Sequence, residues 1–248
     1  MCARALIVLG AAVKPAIPSL IQGFCYSHNW YSRHLIGEVL GGLGADALPQ
    51  LLQSFSDPKF SNYLAAVYVI GEMRTVGDAG IAAVPVLCRY LQGNDESLGI
   101  ACADTLGTLG VAPALAVPAL VNALTNALQA GDVLLSRKCA EALGKFRGNS
   151  SNAVPVLCAA LDSADGITTE EAARAVGQIG TDASIAVPAL LKYLRREKRH
   201  RKYAIEGLSG YGAAAREAIP ALQETLLHED HDTRALAAEL LLKLTQSQ

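Results

Sequence analysis

Residues 104–124 read DTLGTLGVAPALAVPALVNAL, and two short phrases inside them decide the fold. The first is Leu106-Gly107-x-Leu109-Gly110; the second is Ala116-Val117-Pro118-x-Leu120. Around Pro118, apolar residues stand at −1, +2, +3 and +6: Val117, Leu120, Val121 and Leu124. That spacing is one stripe of a 3.6-residue helix. The proline is then expected in the first turn, where its missing N–H costs little. Around Gly107, apolar residues stand five and one before and two after it (Cys102, Leu106, Leu109), a second helical stripe. Its glycines fit a left-handed helix end or a close helix crossing.

Working outward, the proline phrase occurs seven times, at Pro18, Pro49, Pro85, Pro118, Pro155, Pro188 and Pro220. The intervals are 31, 36, 33, 37, 33 and 32 residues. Alanine always stands two before the proline and leucine always two after. The glycine phrase precedes it as EVLGGLG, YVIGEMR, DTLGTLG, EALGKFR, RAVGQIG and EGLSGYG. Each unit therefore reads as helix A, turn, helix B, over about 34 residues. The units run approximately 1–29, 30–60, 61–95, 96–131, 132–165, 166–198 and 199–230, with a last helix A at 231–248. The expectation is one all-α array across 1–248, with its first helix cut short at Met1. The A–B turn is short in unit two and long in unit three. Helix B of unit four is expected to carry an extra turn, because Pro118 to Gly144 is four residues longer than usual.

The Ala-[Val/Ile/Leu]-Pro-x-Leu and Ala-Leu-Gly-x-[Leu/Ile/Phe]-Gly phrases resemble the HEAT-repeat family, in its short, Ala-rich, phycobilin-lyase-type form. The resemblance covers about residues 2–244. It implies a right-handed α-α superhelix of HEAT/armadillo type, with B helices lining a concave face. Tetratricopeptide repeats put their proline at the close of the second helix, and ankyrin repeats carry a Thr-Pro-Leu-His phrase that is absent from this chain.

Composition agrees. The 42 alanines and 36 leucines among 248 residues favour helix, and the 51% apolar content excludes disorder. Small residues let helix axes approach within about 8–10 Å, which leaves little room for aromatics. A net charge of −2 gives no global pull toward nucleic acid or membrane. The uncharged run Thr105–Gly131 contains Pro113, Pro118 and three amides and keeps the repeat register, so no membrane span is expected. Cys2, Cys102 and Cys139 share one slot and Cys88 and Cys158 another, where other units place Ala, Leu, Ile or Val. They read as reduced core residues, which favours a cytoplasmic location.

Candidate sites are sparse. The residues four and five after each proline are expected to face outward, which nominates Gln53, Arg89, Tyr90, Asn122, Lys192 and Tyr193, together with Arg196, as partner-binding. The run RREKRHRK holds Arg195, Arg196, Lys198, Arg199, Arg201 and Lys202 and is +5 on a body of −7, a patch able to meet phosphates or an acidic surface. Phe24, Tyr26, Trp30 and Tyr31 form an aromatic group near the first end, fit for anchoring a partner or covering the array. His228 and His231 sit in an acid-rich turn whose acids are expected to cap the next helix. No metal, cofactor or catalytic residue is nominated: no phosphate loop, nucleophile elbow or zinc spacing occurs. The function expected is a non-enzymatic scaffold that binds another protein or peptide. The alternatives are a phycobilin-lyase-like enzyme or chromophore-protein chaperone, and an electrostatic binder using residues 195–202.

Overall fold

The computed structural model describes residues 10–26, 29–57, 59–73, 77–196, 200–228 and 230–246. Cys2, Lys198, Arg199, Glu229 and the first helix A lie outside them. The described residues are all-α, with no strand. The chain divides into two compact units, Met1–Ala116 and Val117–Gln248.

The first unit holds α1 (Ile17–Tyr26), α2 (Trp30–Leu43), α3 (Leu48–Ser54), α4 (Tyr63–Glu72), α5 (Val84–Leu91) and α6 (Glu96–Leu109). The boundary falls inside α7 (Pro113–Ala130). The second unit continues with α8 (Val133–Lys145), α9 (Val154–Ala160), α10 (Gly166–Ile179), α11 (Ala183–Arg196), α12 (Arg201–Ser209), α13 (Ile219–Thr225) and α14 (His231–Gln246). Within the first unit the A helices α2, α4 and α6 pack in series, and α1 lies against α3. Within the second, α8, α10, α12 and α14 form one layer and α9, α11 and α13 the other.

The repeated slots explain these layers. From unit two to unit seven, the alanine two before the proline and the leucine two after it are fully buried: Ala47 and Leu51 through Ala218 and Leu222. Each such leucine contributes about 1.5–3 kcal/mol of burial. The small slot of helix A is also fully buried, at Ala66, Cys102, Cys139, Ala172 and Ala204. The glycine slot does two separate jobs. A Cβ on Gly177 would lie 2.6 Å from the backbone of Gly207, so the glycine permits the close crossing of α10 and α12. The position three residues further on is left-handed in five units, at Gly44, Gly110, Arg147, Gly180 and Gly212.

The expectation about the proline needs correction in two units. In α3, α5, α9 and α13 it does sit in the first turn, after a 3₁₀ stretch. Pro118 and Pro188, however, lie inside α7 and α11, each of which starts five residues earlier. There a second left-handed residue, Ala112 or Asp182, leads directly into α-helix. The hydrogen bond lost is the one to the carbonyl four residues back, on Ala114 or Ser184. Both residues are exposed, so water replaces the missing donor. The long fourth helix B is as expected: α7 has 18 residues and continues to Ala130.

Asparagine or aspartate opens each well-formed A helix. Asn29, Asp95, Asp132, Asp165 and Asp230 accept from backbone N–H groups at Ser32, Leu98, Leu135, Thr168 and Thr233. The acid-rich turn at 228–232 is thus a cap, with His228 Nδ1 accepting from the Asp230 N–H at 3.1 Å.

Candidate functional site

The exposed face of the B helices follows from helical geometry. In every unit the proline and the residue four after it are exposed: Pro49 with Gln53, Pro85 with Arg89, Pro118 with Asn122, Pro188 with Lys192. The residue five after the proline is not. Tyr193 is only 2% exposed, and its hydroxyl donates to Thr169 Oγ1 at 3.2 Å. Tyr90 is half-buried among Phe55 and Tyr63, with the Arg89 guanidinium 4.9 Å from its ring centre. The outward expectation for both tyrosines is corrected. A residue at +5 lies three after the buried leucine at +2, on the same helical face.

The most built part of this face is on α11. Lys192 Nζ lies 2.8 Å from Asp162 Oδ2, and Arg196 donates to Asp162 Oδ1 at 3.1 Å and to the Leu161 carbonyl at 2.8 Å. One carboxylate from the end of helix B in unit five therefore holds two cations of unit six. Arg195 is exposed and makes no hydrogen bond or ion pair among the described residues. These side chains border an open depression of about 540 Å³, lined by Pro188, Leu191, Lys192, Arg195, Arg196 and Glu217. Asp162 and Glu217 carried no signal in a single repeat. Asp162 is detectable only by comparing charges about one period apart.

The basic run is less uniform than its composition. Arg201 and Lys202 begin α12 and are half-buried. The Tyr203 hydroxyl holds the Lys202 ammonium above its usual range, with Nζ 4.7 Å from the ring centre. His200 is paired with Glu170 at 2.7 Å. The expected aromatic group also divides. Phe24 is core, 1% exposed. Trp30 is 68% exposed and stacks on His34, Tyr31 is 62% exposed, and Tyr26 donates to Asp57. An aromatic cluster that sequence reasoning missed joins Phe55, Phe60, Tyr63 and Tyr90. Its signal was the pair Phe60 and Tyr63 in an otherwise aromatic-poor chain.

Cys25, Cys88, Cys102, Cys139 and Cys158 are free thiols. Burial pushes Cys102 up to about 12 and Cys158 up to about 11, and raises Cys139 further. Among the described residues no group of three His, Cys, Asp or Glu is placed to hold a metal, and no helix is long and apolar enough to cross a membrane.

Residues 121–200 match the family model of HEAT repeats. No curated protein is significantly similar in sequence. Among solved structures, an engineered protein superposes with a TM-score of 0.62 at 19% identity, over 99% of this chain and 74% of that one. The complex of CpcE and CpcF of phycocyanin lyase from Nostoc sp. PCC7120 gives 0.53 at 23% identity, over 92% of this chain and 94% of that one. A mutant of Kap121p gives 0.65 at 14% identity, over 94% of this chain and 29% of that one. These likenesses establish the fold.

Proposed function

We propose that the chain, whose residues 121–200 match the model of HEAT repeats, is a non-enzymatic scaffold that binds another protein through the exposed face of its B helices. The observation that carries this reading is the exposed position that recurs on each B helix. The positions that pack the repeats are kept small and apolar in every unit, whereas the residue four after the proline varies: Gln53, Arg89, Asn122, Ala159, Lys192, Glu224. Such a position offers varied chemistry on an unvaried support, which is how repeat arrays present a binding surface. Placed polar groups on rigid elements also lower the ordering cost of association.

The test is site-specific photo-crosslinking from within the intact chain. A crosslinking amino acid at Gln53, Asn122 or Lys192 is expected to capture a common protein partner from the native source. The same residue at Ser97 or Leu134, exposed on A helices, is expected to capture none of it. Capture from the A-helix positions alone overturns the reading.

The lyase or chaperone alternative draws on fold likeness alone. Its test is bilin attachment when the chain is co-expressed with a phycobiliprotein.

A further inference from the structure

We infer that the depression on α11 is a seat for an acidic side chain of the partner, flanked by an apolar residue of the same segment. This rests on the reading of the exposed B-helix positions as the binding face and names the chemistry that one part of it takes.

Three features of the second unit converge. First, the lining includes the apolar side chains of Pro188 and Leu191, against which a small aliphatic or aromatic group can lie. Second, the α11 wall carries three cations in one helical turn and a half: Lys192, Arg195 and Arg196. Two of them are already oriented. Asp162 fixes the Lys192 ammonium and the Arg196 guanidinium at 2.8 and 3.1 Å, and the Leu161 carbonyl takes a further Arg196 donor. Cations held in this way present a fixed positive wall, so an arriving carboxylate orders little more of it. Third, Arg195, exposed beside them, has no carboxylate of its own among the described residues. Glu217, from the 3₁₀ stretch before α13, is the lining residue that lies off α11, and it carries the wrong sign for an anion. The notch is therefore polar in a definite direction: an acid docks on the α11 wall, away from Glu217. Two charge changes in one depression must then act in opposite senses.

The experiment measures binding of the full chain to soluble poly(Glu,Tyr), an acidic and apolar copolymer, by fluorescence anisotropy near physiological salt. Poly-glutamate serves as the purely acidic probe. Arg195→Glu is expected to weaken poly(Glu,Tyr) binding by about tenfold, and Glu217→Gln to strengthen it by about threefold. Lys59→Glu, an exposed charge reversal in the first unit, is expected to change it less than about twofold. Circular dichroism confirms that each variant is folded. No binding by the wild-type chain overturns the inference, as does equal loss in the Arg195 and Lys59 variants. Equal affinity for poly-glutamate also overturns it, because charge alone would then account for binding. Any of these leaves the crosslinking test of the B-helix positions intact, so the two failures are distinguishable.

Discussion

Arg147 shows what one position costs when its neighbours in the repeat are glycine. The slot three after the glycine phrase is left-handed at Gly44, Gly110, Gly180 and Gly212, and at Arg147 with φ 52°. A Cβ in that region meets the following carbonyl oxygen at about 1–2 kcal/mol. Glycine returns part of that gain through its larger unfolded-state entropy. Arg147→Gly is therefore expected to stabilise the chain by about 0.5–1 kcal/mol, read as a higher urea midpoint at unchanged slope. A lower midpoint would show that the exposed arginine makes a compensating contact. Tyr193 carries the opposite lesson. Its place in the sequence looked outward, yet it is buried, because two adjacent positions on a helix differ by 100° and only the first clears the core.

At the scale of one element, α10 shows how a helix is closed at both ends. Asp165 caps it by accepting from the backbone N–H groups of Ile167 and Thr168 at 3.3 and 2.7 Å. Burial alone would raise this carboxyl, but the Thr168 hydroxyl and the two N–H groups outweigh it and leave its pKa lowered. A lowered folded value means that the stabilisation is present above the unfolded aspartate range, near 3.9, and is lost as pH falls through the folded value. Asp165→Ala is expected to cost about 1 kcal/mol at pH 7. The gap between variant and wild type should narrow as pH falls below the usual aspartate range, measured by urea unfolding across pH. A gap independent of pH would mean that the ionised cap contributes nothing. The far end of α10 is closed by another repeat: the Tyr211 hydroxyl donates to the carbonyls of Val176 and Thr181 at 2.9 and 3.1 Å.

At the scale of the whole molecule, each compact unit carries its own buried thiol, Cys102 in the first and Cys139 in the second. Burial raises both far above neutral pH, so little thiolate forms while the surrounding helices stay closed. Both are expected to resist a thiol reagent at pH 8 and to be labelled only at the urea concentration where helical signal is lost, followed by mass spectrometry of each peptide. Labelling of one before the other would rank the stabilities of the two units. Labelling of either in buffer at the rate of an unfolded chain would contradict its burial.

The sequence by itself determined the period, the A–B order and the buried slots, because a repeat writes its core pattern seven times. A signal such as Ala and Leu flanking proline survives in every copy, and helical periodicity turns it directly into a buried stripe. The cap of the last A helix was legible as well, since its acid-rich turn stands where that helix begins. Only the tertiary structure decided where α7 and α11 start and which partners the polar side chains find. Those partners stand one repeat away, as in Asp162 with Lys192 and Arg196, Glu170 with His200, and Asn62 with the carbonyls of Phe24 and Cys25. Such pairs depend on the distance and angle between stacked helices. No local period encodes these, because each pair occurs once and its geometry is set by how the core closes.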